Sequence, residues 1–164
     1  MDNENAVIIR LFSIPPNQRT AADVAYLHGF LRTIEGLNVP GLTLAHRDAE
    51  LRDLCRIGVH RRVPEDVLLY RAGDLCDCWY ILLTGSVLIE TSMFLPRACF
   101  GLRINGNPYR SSDCLVLEPS DVVMVSSYLK RYQAANVHCS SPSSHIHSFL
   151  PLRSVFMRFL FHAR

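Results

Sequence analysis

The chain has 164 residues, 49% of them apolar, and a formal net charge of +2 from 17 Lys and Arg against 15 Asp and Glu. That length suits one domain, and the apolar share is enough for a core that takes roughly 70% of the unfolded surface out of water. The balanced charge, with no dense basic stripe, argues against nucleic acid, and the longest apolar run, residues 149–161, falls short of the ~20 residues of a membrane-spanning helix and is cut by Pro151, Arg153 and Arg158.

The opening residues, MDNENAVIIRLF, carry no basic region ahead of a long apolar one, so they do not read as a secretory signal. Six cysteines, Cys55, Cys76, Cys78, Cys99, Cys114 and Cys139, are therefore read as reduced and mostly buried thiols of a cytosolic protein. Cys76-x-Cys78 has no second pair at ligand spacing, which leaves a zinc site unsupported. Pro15-Pro16 breaks any regular element. Thr20 with Asp23 three residues on predicts a helix start, and Val24, Leu27, Leu31 and Ile34 give that helix one apolar face, with Gly36 as its stop. A second helix is predicted over HRDAELRDLCRIG, residues 46–58, with Leu51, Leu54, Cys55 and Gly58 inward and interleaved charges in water.

From Val59 the period changes from helical to alternating. A turn at Pro64-Glu65-Asp66 leads to a strand over 67–70, and Gly73-Asp74 marks a corner. Trp79, Ile81 and Leu83 share one strand face while Tyr80 and Leu82 share the other; both faces are apolar, which predicts a strand covered on both sides. Thr84-Gly85-Ser86 is expected to return the chain as a hairpin into VLIE, and CLVLEPSDVVMV, residues 114–125, is expected to form a second hairpin about Glu118-Pro119-Ser120. The long stretch between them, 91–113, reads as a functional or disordered loop. Several short strands after two helices make the fold class mainly β with flanking helices, an antiparallel β-roll. His28, His46 and His60 are dispersed, with no evident nucleophile and orienting acid beside them, and no P-loop or dinucleotide fingerprint occurs.

VLLYRAGDLCDCWYILLTGSVLIE, residues 67–90, resembles the cyclic nucleotide-binding domain family in its order of apolar run, Gly-Asp, aromatic-Ile-Leu and Gly-x-Val. CWYILLTGSVLIETSMFLPRACFG with CLVLEPSDVVMV is similar, more narrowly, to the N-terminal roll of the PDZ-domain-containing Rap guanine nucleotide exchange factors, with Ser92-Met93-Phe94-Leu95-Pro96-Arg97 as its most particular stretch. The likeness covers residues 6 to 128. It implies a double-stranded β-helix fold and a role in Rap signalling. It also implies that this polypeptide is no enzyme by itself, because the exchange, PDZ, Ras-exchange-motif and Ras-association domains of that family have no counterpart in it.

In the nucleotide-binding members of the wider family, a cassette opening with Phe-Gly-Glu and closing with Pro-Arg-Ala-Ala holds the cyclic phosphate. The Arg pairs with the phosphate and the Glu accepts from the ribose hydroxyl. Here Phe100-Gly101 matches the opening, Leu102 stands in place of the Glu, and Arg110-Ser111-Ser112 falls near the closing Arg, about one residue early. Phe100, Gly101, Arg110, Ser111 and Ser112 are thus the candidate ligand-binding residues. Two readings of Arg110 follow: a residual phosphate ligand, or a solvated loop arginine. No cofactor is expected, with cAMP or cGMP as the alternative that would make the chain a nucleotide sensor. The expected partners are other domains of a Rap exchange factor and proteins of the Rap and Ras GTPase pathway, not nucleic acid; the expected location is the cytoplasm, with recruitment to the plasma membrane left open. The chain divides into a helical segment (1–43), the roll (44–128) and a tail (129–164) whose Ser, His and Pro content, including His138, Cys139, His145 and His147, predicts disorder rather than a metal site. Its last residues, FMRFLFHAR, read as a non-native end, or as a membrane- or partner-contacting one.

Overall fold

A computed structural model describes residues 2–37, 44–102 and 107–126; the predicted tail, 129–164, lies outside the described residues. Three helices come first: α1 (Asp2–Ser13), α2 (Ala21–Leu31) and α3 (Leu44–Ile57), with single 3-10 turns at Pro16–Gln18 and Glu35–Leu37. Eight strands follow: β1 (Val59–Val63), β2 (Leu68–Tyr70), β3 (Cys78–Thr84), β4 (Val87–Ile89), β5 (Ser92–Phe94), β6 (Cys99–Phe100), β7 (Cys114–Val116) and β8 (Ser120–Ser126). They form two antiparallel four-stranded sheets, β1-β8-β3-β6 and β2-β7-β4-β5.

The start of α2 follows the sequence. Thr20 Oγ1 accepts from the Asp23 backbone N–H at 3.2 Å, and Asp23 Oδ2 accepts from the Thr20 backbone N–H at 2.8 Å, a reciprocal capping box. Its end does not. The helix stops at Leu31, short of Gly36, because Thr33 turns back to give both its N–H and its hydroxyl to the Phe30 carbonyl, at 3.0 and 2.7 Å. Helix α1 falls in the segment expected to be helical, although the sequence reading gave it no bounds of its own; Ile8, Leu11 and Phe12 sit at helical spacing and are buried. Arg19 fastens this layer. Its guanidinium donates to the carbonyls of Phe12 and Ile14 at the end of α1, and to those of Cys55 and Gly58 at the end of α3, over 2.6–3.1 Å. A cation at the negative ends of two helices also satisfies carbonyls that have no partner within their own helices.

The sheet containing β3 is the middle layer. Trp79, Ile81, Leu83, Cys99, Val123 and Val125 pack against Ile8, Phe12, Leu27, Leu31, Leu51 and Leu54 of the helices. On the other face Tyr80, Leu82, Phe100 and Val122 pack against Leu69, Tyr70, Val87, Cys114 and Val116 of the second sheet. The alternation that makes both faces of β3 apolar is therefore used as expected, helices on one side and sheet on the other.

The two predicted hairpins are not hairpins. β4 pairs with β5 and β7, not with β3, and β7 pairs with β2 and β4, not with β8. Both turns are corners at which the chain leaves one sheet for the other. Alternation reveals which residues share a face; it carries no information about which strand lies alongside. The corners pack on each other: Leu117 N–H donates to Ser86 O at 2.9 Å, and Gly85, at φ +82°, lies against Ser120. The stretch expected to be a long loop contains β5 and β6.

Asp121 fixes the second corner. Its carboxylate, 5% exposed, accepts from Thr84 Oγ1 at 2.8 Å and Arg62 at 3.0 Å, and lies 2.8 Å from His60 Nε2. Burial alone would raise its pKa, but the hydrogen bonds from His60 and Thr84 and the charge of Arg62 more than offset this and hold it below the usual carboxylate value. A carboxyl whose folded pKa is depressed contributes stability that is present above its unfolded value, about 3.9, and is lost as pH falls through the folded one. Asp121→Asn is accordingly expected to lower the urea midpoint at pH 7 by the equivalent of about 2 kcal/mol. The difference from the parent should shrink in the same titration repeated at pH 3.

Candidate functional site

The matched opening of the cassette sits at the end of β6. Phe100 is buried, stacked on Tyr80 with ring centroids 5.4 Å apart and tilted against Phe94 at 5.8 Å. Gly101 follows at φ +75°, a conformation that side chains rarely adopt. A Cβ there would lie 2.8 Å from Arg110 Nη1 and 3.1 Å from Tyr80 Cδ2. The glycine is thus required twice, by its backbone and by the arginine beside it. Leu102, in place of the cassette carboxylate, is partly buried and packs toward the helical core.

Arg110 is placed by its own backbone. Its N–H donates to Asp74 O at 2.8 Å and its carbonyl accepts from Gly73 N–H at 2.9 Å, while Cys76 N–H donates to Pro108 O at 2.7 Å. Asp113 extends the lacing by accepting from Ala72 N–H at 2.7 Å. The predicted Gly73-Asp74 corner is therefore the rail along which residues 108–113 lie. From it the Arg110 side chain points into the roll. It is not a solvated loop arginine: the residue is 7% exposed.

Inside, the guanidinium carbon stands 4.2 Å from the centroid of the Tyr70 ring and 5.7 Å from that of Tyr80. Nη1 donates to the Gly101 carbonyl and Nη2 to the Cys78 carbonyl, the latter at 2.5 Å. Nη2 also approaches Cys78 Sγ at 3.8 Å. Burial raises the pKa of the Tyr70 and Tyr80 phenols above their usual range, and pushes the Cys114 thiol up to about 12. These groups stay neutral, so the guanidinium charge is met by carbonyl dipoles and ring faces. Arg110 Nε has no hydrogen-bond partner among the described residues. Ser111 is exposed and Ser112 half-buried at the outer rim. The structure thus brings Phe100, Gly101 and Arg110 together and leaves the two serines outside. Tyr70, Tyr80 and the Cys78 carbonyl were not anticipated; the only hint was that both tyrosines fall at inward positions of alternating strands.

A second constellation was also missed. His60 Nδ1 lies 3.0 Å from Ser13 Oγ while its Nε2 lies 2.8 Å from Asp121. Serine, imidazole and carboxylate stand in the order of a hydrolytic triad. However, Ser13 Oγ donates to Ile9 O at 2.7 Å and ends α1, where carbonyls rather than N–H groups point outward. That end offers no oxyanion donors, and the chain of contacts instead ties α1 to β1 and to the corner before β8. Among the described residues no group of three or more His, Cys, Asp or Glu is placed to hold a metal ion.

No family model matches the chain. A Rap guanine nucleotide exchange factor of Caenorhabditis elegans is 32% identical over 133 residues, which is 81% of this chain and 9% of the worm protein. Rap guanine nucleotide exchange factor 6 of Homo sapiens is 35% identical over 112 residues, 68% of this chain and 6% of the human one. The chain is homologous to the Rap guanine nucleotide exchange factors. It spans less than a tenth of the length of these two relatives. Its fold is that of the cyclic nucleotide-binding β-roll. The regulatory domain of Toxoplasma gondii PKA, solved with cAMP, superposes with a TM-score of 0.57 at 16% identity, covering 70% of this chain and 46% of that one. A putative cyclic nucleotide-binding protein from Geobacter metallireducens gives 0.55 at 21% identity, covering 65% and 80%. The regulatory subunit of a cAMP-independent protein kinase A from Trypanosoma brucei gives 0.52 at 18% identity, covering 70% and 47%.

Proposed function

We propose that this Rap exchange-factor homologue is a regulatory module that has kept the roll and given up the nucleotide. The observation that carries this reading is the inward Arg110, whose Nη1 and Nη2 are both committed to main-chain carbonyls. For a cyclic phosphate to use that fork, the arginine must leave Tyr70 and free two carbonyls. Hydrogen bonds to a charged group contribute about 1.5–3 kcal/mol each, so a ligand has to outweigh roughly 3–6 kcal/mol before it gains anything. Leu102 offers no acceptor to a ribose hydroxyl, which removes the second anchor that would offset this cost.

The module then acts by contact. Docked over the exchange surface of its parent protein, or against a protein of the Rap and Ras GTPase pathway, it holds a closed state; a partner that binds one state better than the other shifts the balance. The catalytic, PDZ and Ras-association domains belong to the rest of such a protein, and the site of action is the cytoplasm and the inner face of the plasma membrane. Titration calorimetry with cAMP and with cGMP is expected to give no heat of binding at millimolar nucleotide. Low-micromolar binding that disappears in Arg110→Ala overturns the reading and makes the chain a nucleotide sensor.

A further inference from the structure

Antiparallel sheets that cover a core on one side ordinarily present polar side chains on the other. The sheet β2-β7-β4-β5 does not. Leu68 pairs with Leu115, Leu115 with Leu88, and Leu88 with Met93. Directly opposed residues of antiparallel strands share a face, so the four form one row that runs across all four strands. The neighbouring register, Val116–Val87–Phe94, faces the core, which puts this row on the outside. None of the four packs in either core, and Met93 is 55% exposed. A continuous aliphatic row on the solvent side of a sheet marks a contact surface. Its direction says what shape fits. Neighbouring strands lie about 4.8 Å apart, so the row sets one aliphatic side chain on each strand over a length of about 14 Å. A helix lying along it offers an apolar side chain once per turn, about every 5.4 Å, close to one per strand. An extended segment laid the same way repeats its same-face side chains about every 6.8 Å and drifts out of step.

Acids flank the row on both of its long sides, at the strand ends. On one side Glu90 and Asp113 adjoin the Ile89–Cys114 pair, each two residues, about 7 Å, from the row. On the other, Asp66 lies two residues before Leu68 and donates its N–H to Val116 O, with Glu65 and Glu118 one position further out. All five are exposed, and none makes an ion pair among the described residues. Arg71 is the one cation beside them in sequence, and Arg97 is turned to the helices, 3.6 Å from Glu4 and over the Phe30 ring. The acidity is local, since the whole chain carries a formal net charge of +2. It repels a membrane of anionic lipid. A second copy of the chain does not fit either. Its own face is equally acidic, and its α1, α2 and α3 bury their apolar sides in their own core. The complementary occupant is a helix with an apolar underside and cations along both shoulders.

We infer that the outer row Leu68, Leu115, Leu88 and Met93 receives a basic amphipathic helix of another protein, apolar side down, with Lys or Arg on each shoulder over the flanking acids. This rests on the reading of the chain as a module that acts by contact and gives that module its contact face; its test contains no nucleotide, so its outcome is separate from that of the cAMP and cGMP titrations. The full chain is titrated into a fluorescent, blocked helical peptide of about 20 residues, with leucine at i, i+3, i+7 and i+10 and lysine on both shoulders, and anisotropy is read. Saturable binding is expected. It should weaken roughly tenfold, the factor carried by 1.4 kcal/mol, in Leu88→Lys, and by a similar factor in Glu90→Lys/Glu118→Lys. The charge-reversed pair should instead prefer the same peptide carrying glutamates for its lysines. Glu35→Lys/Glu50→Lys makes the same change in net charge within the helical layer, and is expected to bind as the parent does. Circular dichroism checks that each variant is folded; Met93→Lys, at the exposed edge of the row, replaces Leu88→Lys if the latter is not. Absence of saturation, equal affinity of the parent for the lysine and glutamate peptides, binding indifferent to the row and flank substitutions, or an equal loss in Glu35→Lys/Glu50→Lys each overturn the inference.

Discussion

Arg110→Ala is expected to destabilise the roll by about 3–5 kcal/mol with no nucleotide in the sample. The substitution strands the Gly101 and Cys78 carbonyls inside the roll, at about 1–3 kcal/mol each. It also removes a cation from the Tyr70 ring, about 0.5–2 kcal/mol at a desolvated site. Arg110→Lys is expected to recover less than half of the loss. An ammonium is a compact donor on a flexible stem, and it cannot lie flat on Tyr70 while its donors reach two carbonyls on different strands. Urea unfolding at constant slope checks both variants. An Arg110→Ala midpoint equal to the parent's would return Arg110 to the role of a free phosphate ligand, since a ligand arginine awaiting its anion contributes little to the empty fold.

Gly85→Ala is expected to cost a comparable 3–5 kcal/mol, roughly, for a different reason. The backbone at φ +82° costs a non-glycine residue about 1–3 kcal/mol. The added Cβ would also fall 2.2 Å from Ser120 Oγ and 2.8 Å from both Pro119 O and Ser120 Cα. Ser120 is fully buried and its hydroxyl is held to Glu118 O at 2.7 Å, so it cannot turn away cheaply, and overpacking of this kind adds about 1–3 kcal/mol. Gly29→Ala is the control. It lies within α2 with nothing inside 4 Å of the new methyl group, and gains about 1 kcal/mol from helix propensity. Thermal unfolding of the two variants should therefore move in opposite directions from the parent.

The contrast between what could and could not be read from the amino acids follows from the range of each interaction. The capping box at Thr20 and the two-sided strand 78–84 depend on residues a few positions apart, and both stand in the structure as the spacing predicts. The corners at 84–86 and 118–120 depend on which distant strand completes each sheet, and local alternation does not distinguish them from hairpins. The site behaves likewise. Phe100, Gly101 and Arg110 are visible as a degraded motif, and the missing carboxylate is visible as Leu102. The burial of Arg110 is not, because it is decided by Tyr70, 40 positions earlier, and by a carbonyl at Cys78. A loop arginine looks hydrated until the hollow that receives it is known. The outer row of the second sheet was hidden for the same reason, since Leu68, Leu88, Met93 and Leu115 become neighbours only through pairing.

The order of strands in the middle sheet has a further consequence for how the polypeptide matures. β1 and β3 do not touch as neighbours; each is paired to β8, which lies between them and comes last. Until residue 126 has left the ribosome tunnel, the floor on which the three helices rest has a missing plank, and two strands wait with unmatched edges. The edges of β1 and β3 that face each other across that gap therefore stay open to other pairing for as long as β8 is absent, and a chain cut before β8 is expected to lack the strand that joins them.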